Sequence, residues 1–142
     1  MLTTDAKLTC LKSCALFSKL PPSTLGVLAE SMEAERFDDG ETVCLNGEEA
    51  DRVYVVQQGR LAVFLPGAAE PVRHLEPGDI LGEYGMFRGL RTTSIYARGA
   101  TTLLSFDYTR FRSFLLQYPA AMYDLLALTV GRLVEAEARG RK

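Results

Sequence analysis

The chain is short of the residues on which catalysis and metal binding usually depend. Histidine occurs once, at His74, and cysteine three times, at Cys10, Cys14 and Cys44. A serine–histidine or cysteine–histidine nucleophile pair would have to use His74, which alternates with apolar neighbours in a strand-like stretch. A metal-dependent β-barrel enzyme would need several histidines. Cys10 and Cys14 would share a helix face, but no CxxC spacing supports a zinc site built from them, Cys44 and His74. Buried free thiols are the plainer account, so neither an enzyme nor a metal protein is expected. Charge of one sign is missing too: 16 basic against 18 acidic side chains leave −2. No global electrostatic footprint for nucleic acid follows. Long apolar runs are absent, which excludes a membrane-spanning helix. The first residues carry no basic start with an apolar core, and an odd cysteine count fits a reducing compartment, so a cytoplasmic protein is expected.

What is present reads as one ordered domain. Hydrophobic residues make up 47% and charged residues 24% of 142, the balance of a packed globular chain. Helical spacing occurs at both ends. Leu8, Leu11, Ala15 and Leu16 predict a short first helix, and Pro21-Pro22-Ser23 opens a second whose apolar positions run to Met32. Between Phe37 and Phe106 the period becomes that of strands. Strands are expected at 42–45, 53–56, 61–64, 72–75, 94–97 and 102–105, separated by turns such as Asn46-Gly47, Gln58-Gly59 and Pro77-Gly78. Asp107 is a natural N-cap for a helix over 108–118, and Pro119 opens a last helix running toward Arg139. The expected fold is α+β: a β-roll, or jelly-roll-like barrel, with N-terminal helices and a C-terminal helix pair. Its expected divisions are a helical lead-in over 1–20, the roll and its flanking helices over 21–118, and the last helix and basic tail over 119–142.

Two charged segments need an account. Nine carboxylates lie between Glu30 and Asp51 against the single Arg36. They lack the ligand order of a calcium loop, and a solvated face with turn residues explains them better. The second segment runs from Pro77 to Ser94. A turn and a short strand lead into Gly82-Glu83, where glycine permits close approach to the backbone and a helix start offers free N–H groups to an anion. Arg91 supplies a guanidinium that pairs with phosphate oxygens, and Glu83, acceptor-only when ionised, suits ribose hydroxyls. On spacing alone, a salt bridge between the two across the loop is the favoured account.

The order of these segments resembles the cyclic nucleotide-binding domain family, which includes catabolite activator proteins, kinase regulatory subunits and gated channels. The resemblance runs from about Leu16 to Glu137. It is carried by Leu16-Phe17-Ser18-Lys19-Leu20, by Asp51-Arg52-Val53-Tyr54-Val55-Val56 through Gly59, and by Leu75-Glu76-Pro77-Gly78-Asp79-Ile80-Leu81-Gly82-Glu83. It implies a β-roll that holds a 3′,5′-cyclic nucleotide, cAMP or cGMP. Glu83 would take the ribose 2′-hydroxyl and Arg91 the cyclic phosphate. Backbone N–H groups near Gly82, Tyr84 and Gly85 and the hydroxyl of Thr92 would assist. Gly85 and Phe87 look most like the bacterial activator branch, where cAMP is usual. A threonine at Thr92 is associated in the family with guanine, so cAMP is expected with no more than about tenfold preference over cGMP.

Three departures accompany the resemblance. The stretch between Glu83 and Arg91 is about one residue shorter than in kinase-type cassettes, with Leu90 where many have proline. Glu135-Ala136-Glu137-Ala138 stands where bacterial activators meet adenine with a Thr-Ser pair. The winged-helix DNA-binding domain of those activators is not in this sequence, so no direct DNA binding is expected. Within the last helix, Met122, Leu126, Thr129, Leu133 and Ala136 form a short heptad seam fit for a homodimer. Leu125, Leu128 and Val130 are expected to pack on the roll. The sequence reading is a stand-alone receptor that signals through its last helix to an unidentified effector. Its rivals are a ligand-free structural or interaction module and the sensor half of a transcription regulator.

Overall fold

The computed structural model describes residues 2–83 and 88–140, the side chains of 139 and 140 excepted. Helix α1 spans Thr4–Ser13 and is capped by Thr3, whose hydroxyl accepts from the Ala6 amide at 3.1 Å. It stops before Ala15 and Leu16, which the apolar spacing had assigned to it; both lie in the turns that follow. Helix α2 spans Pro22–Ser31, with proline at its first position. Eight strands follow: β1 Glu33–Phe37, β2 Thr42–Cys44, β3 Arg52–Gln58, β4 Leu61–Phe64, β5 Arg73–Leu75, β6 Ile80–Leu81, β7 Ser94–Ala97 and β8 Thr101–Asp107. Helices α3, Tyr108–Gln117, and α4, Pro119–Gly140, follow the strands among the described residues. Asp107 caps α3 by accepting from the Arg110 amide at 2.9 Å.

The strands form two four-stranded antiparallel sheets, ordered β1-β8-β3-β6 and β2-β7-β4-β5. The fold is the expected α+β roll, but the ladders do not close into a barrel. With β2 only three residues long and β6 two, there is little backbone left to continue the pairing. Alternation along β3 explains its unbroken apolar run. Val53 and Val55 face a core shared with the helices, including Leu11, Phe17 and Phe111. Tyr54 and Val56 face the second core, between the sheets, with Leu61, Leu75 and Ile95. A strand covered on both faces has no polar side to show.

β1 lies inside the stretch assigned to a solvated face and is the one strand not foreseen. Its polar residues pair edge-on with β8, Glu33 opposite Ser105 and Phe37 opposite Thr101. Main-chain bonding makes it a strand, and that leaves no apolar signature. Two other acidic residues do serve turns: Glu41 accepts from the Asp38 amide at 2.8 Å and Glu48 from the Leu45 amide at 2.7 Å.

In α4, Ala121 and Leu125 are buried in the helical core. The expectation that Leu128 and Val130 pack on the roll is not met, since both are exposed. Successive residues of a helix advance by 100°, so the face that starts at Leu125 continues through Thr129 and Arg132 rather than through Val130.

Candidate functional site

Strand β6 pairs with Tyr54 and Val55 of β3 and delivers Gly82 and Glu83 to one end of the roll. Gly82 has φ +89°, and a Cβ there would stand 2.9 Å from the Arg52 carbonyl and 2.6 Å from Nη1 of Arg91. Only glycine meets both demands. Glu83 is 0% exposed. Its Oε1 is ion-paired with Nη1 of Arg132 in α4, while Nη2 of Arg132 donates to the Ile80 carbonyl at 2.9 Å. Its Oε2 is buried with no hydrogen-bond partner among the described residues. Burial pushes the Glu83 carboxyl above the ordinary range, and the Arg132 guanidinium pulls against it. The salt bridge weighed between Glu83 and Arg91 is therefore replaced by one to Arg132.

Arg91 is 7% exposed and is held from two sides. Its amide donates to the Glu48 carbonyl at 2.8 Å, and its carbonyl accepts from the Gly47 amide at 2.9 Å. Its guanidinium lies 3.1 Å from the Tyr108 hydroxyl and 3.5 Å from the Gly82 carbonyl, and sits over the Tyr54 ring with 5.8 Å to the centroid. Tyr108 in turn donates to the Gly82 carbonyl at 2.7 Å. Burial raises both phenols, Tyr54 to about 12, so each is a neutral donor at physiological pH.

A cavity of about 440 Å³ opens beside Glu83. Thr92 and Thr93 line it together with Arg73, Arg88 and Arg132, and apolar side chains of β4, β5, β7 and α4, Leu133 and Ala136 among them, form its walls. Gly82, Glu83 and Thr92 thus meet at one cavity, whereas the Arg91 side chain is spent on Gly82 and Tyr108. Tyr84 and Gly85, also expected here, lie outside the described residues, as does Phe87. Tyr54, Tyr108, Arg73 and Arg132 were not singled out from the sequence. Nothing in local spacing marks them, because each reaches the site from a distant element. His74, by contrast, is exposed on β5, and the three cysteines are buried and free. No cluster of three or more metal-ligating side chains occurs among the described residues.

The model of the cyclic nucleotide-binding domain matches residues 34–118. This chain belongs to the cyclic nucleotide-binding domain family. Within it, the chain is 27% identical over 127 residues to the CRP-like cAMP-activated global transcriptional regulator of Mycobacterium tuberculosis, covering 87% of this chain and 57% of that protein. It is 31% identical over 98 residues to a cyclic nucleotide-gated potassium channel of Mesorhizobium japonicum, covering 68% of this chain and 26% of the channel. The chain therefore spans less than two thirds of either relative. The fold agrees with cAMP-bound PfPKA-R at a TM-score of 0.84 and 19% identity, over 96% of this chain and 47% of that one. It agrees with the Thermus thermophilus catabolite activator protein at 0.77 and 23% identity, over 87% and 60%.

Proposed function

We propose that this chain is a cyclic nucleotide receptor module that binds cAMP and, less selectively, cGMP. The observation that carries the reading is the cavity itself. At about 440 Å³ it falls within the size range of small-molecule sites, and it is lined by a carboxylate whose Oε2 has no partner among the described residues. Hydroxyl donors on a ribose are what such an oxygen accepts, and the guanidinium groups around it favour a monoanionic phosphate. In this reading Glu83 takes the 2′-hydroxyl, Thr92 lies against the phosphate or the base, and Arg91 gives up Tyr108 to reach the phosphate. Gly82 contributes its backbone N–H group.

The relatives are named as a regulator, kinase regulatory subunits and channels, which supports a sensor rather than a catalyst. The seam of α4 supports a homodimer, since Leu126 is 60% and Leu133 59% exposed. No described helix is long and apolar enough to cross a membrane, and a cytoplasmic receptor without direct DNA contact is the proposed setting. A ligand-free structural module is the second reading, favoured by the seating of Arg132 on Glu83.

Calorimetric titration with cAMP and cGMP separates the two. The receptor binds cAMP, with cGMP within about tenfold. Arg91→Ala weakens binding by about 10- to 150-fold, the worth of a charge-assisted bond. No heat of binding from either nucleotide would establish the structural module instead.

A further inference from the structure

We propose that the free edge of β1 is a docking site for an extended basic segment of a partner protein, which adds to the sheet as a further strand. β1 ends the order β1-β8-β3-β6, and its five residues pair with β8 in one continuous register. In an antiparallel pair, alternate residues turn their N–H and C=O groups away from the neighbouring strand. None of these groups in 33–37 meets another main-chain segment among the described residues. Glu33, Ala34 and Arg36 are exposed, so the edge is open to solvent. The usual guards of an edge are proline, a bulge or a covering element. β1 has no proline and no break in register, whereas the β2–β7 and β3–β8 ladders both shift register.

What guards β1 is charge, and mostly of one sign. Glu30, Glu33, Glu35, Asp38 and Asp39 lie on the strand or at its two ends, against Arg36. A second copy of β1 would bring carboxylate against carboxylate, and like charges on facing strands destabilise pairing. A basic strand is drawn in by the same field. Alternation then sets the pattern it needs. Glu33 and Glu35 share the face on which Phe37 packs toward the inter-sheet core, and Arg36 lies on the other with Ala34. Lysine or arginine at every second position meets the two glutamates, with small or apolar residues between them to avoid Arg36. Glu35 is already 3.5 Å from Arg52 and 34% exposed, so Glu33 carries the larger share. The unpaired main chain provides the site, and the carboxylates choose its occupant.

The test uses the full chain without nucleotide, so its outcome is independent of the receptor reading. The probe is the capped peptide Lys-Val-Lys-Val-Lys-Val-Lys, titrated at low salt. Hydrogen exchange is expected to slow at the amides of 33–37 as it binds. Proline in place of each valine keeps the charge but removes the donors and the geometry of a strand, and is expected to abolish that protection. Glutamate in place of each lysine is expected to abolish it as well. Glu33→Lys, a change at an exposed position, is expected to weaken the valine peptide by about fivefold with thermal melting unchanged. Equal protection from the valine and proline peptides would overturn the proposal, since charge alone would then explain binding. So would equal binding of the glutamate peptide, protection confined to residues outside 33–37, unchanged affinity in Glu33→Lys, or no binding of the valine peptide at all.

Discussion

The Tyr108 hydroxyl donates to the Gly82 carbonyl at 2.7 Å and stands 3.1 Å from the Arg91 guanidinium. One phenol at the start of α3 thus ties together the turn after β6 and the arginine 17 residues before it. The contact seats the Arg91 guanidinium on Gly82 and Tyr108. In the proposed receptor, Arg91 exchanges these protein contacts for the phosphate.

Tyr108→Phe separates these two effects. Loss of the hydroxyl leaves the Gly82 carbonyl with one donor fewer, and a stability loss of about 1 kcal/mol is expected in urea unfolding. The same change removes a competitor for Arg91, so cAMP affinity is expected to rise a few-fold. A fall in affinity would mean that Tyr108 presents Arg91 to the ligand rather than restraining it.

Gly82→Ala places a methyl group 2.6 Å from Nη1 of Arg91 and 2.9 Å from the Arg52 carbonyl, at a φ of +89°. Arginine can shift; the backbone carbonyl and the left-handed conformation cannot. A loss of about 1–3 kcal/mol in stability is expected, together with a sharp loss of cAMP binding. A variant with wild-type melting and wild-type affinity would show that the turn relaxes freely.

Leu133→Asp tests the dimer. Leu133 is 59% exposed on α4 and belongs to the apolar seam, so a charge there opposes association without unfolding the monomer. Light scattering is expected to show a wild-type dimer and a monomeric variant. A wild-type monomer with and without cAMP would remove the dimer and leave the receptor.

The thiols predict an alkaline limit. Burial pushes Cys10 to about 12 and Cys14 to about 11, from 9.0 for a free thiol. A raised thiol value means that the folded state keeps protons the unfolded state has lost. The stabilising contribution is therefore complete below about pH 9 and is lost as pH rises through 9 toward 11 and 12. Urea midpoints are expected to fall over that window, and less so in Cys10→Ser/Cys14→Ser. At pH 8 in the native state, both thiols should resist alkylation. Rapid labelling would show that α1 opens.

Much of the architecture was legible because it is local. Asp107 and Pro119 set the starts of α3 and α4, the apolar clusters at 61–64 and 94–97 gave β4 and β7 to the residue, and the Gly82-Glu83 turn located the cavity. A cap, a fixed φ and a two-residue alternation are properties of neighbouring residues, so sequence alone determines them. β1 escaped because an edge strand is made by main-chain bonds to β8, which carry no side-chain pattern. The partners of the two charged residues escaped for a related reason. Spacing brought Glu83 and Arg91 within reach of each other, but a buried carboxylate pairs with whichever guanidinium the packing delivers. The 49 residues between Glu83 and Arg132 are bridged only once Ala121 and Leu125 anchor α4 against the helical core. The sequence by itself marked Glu83 and Arg91 as the charged pair of the cassette; only the tertiary structure brought Arg73 and Arg132 to the cavity and decided which groups meet, because burial removes water as the alternative partner and makes the choice depend on position.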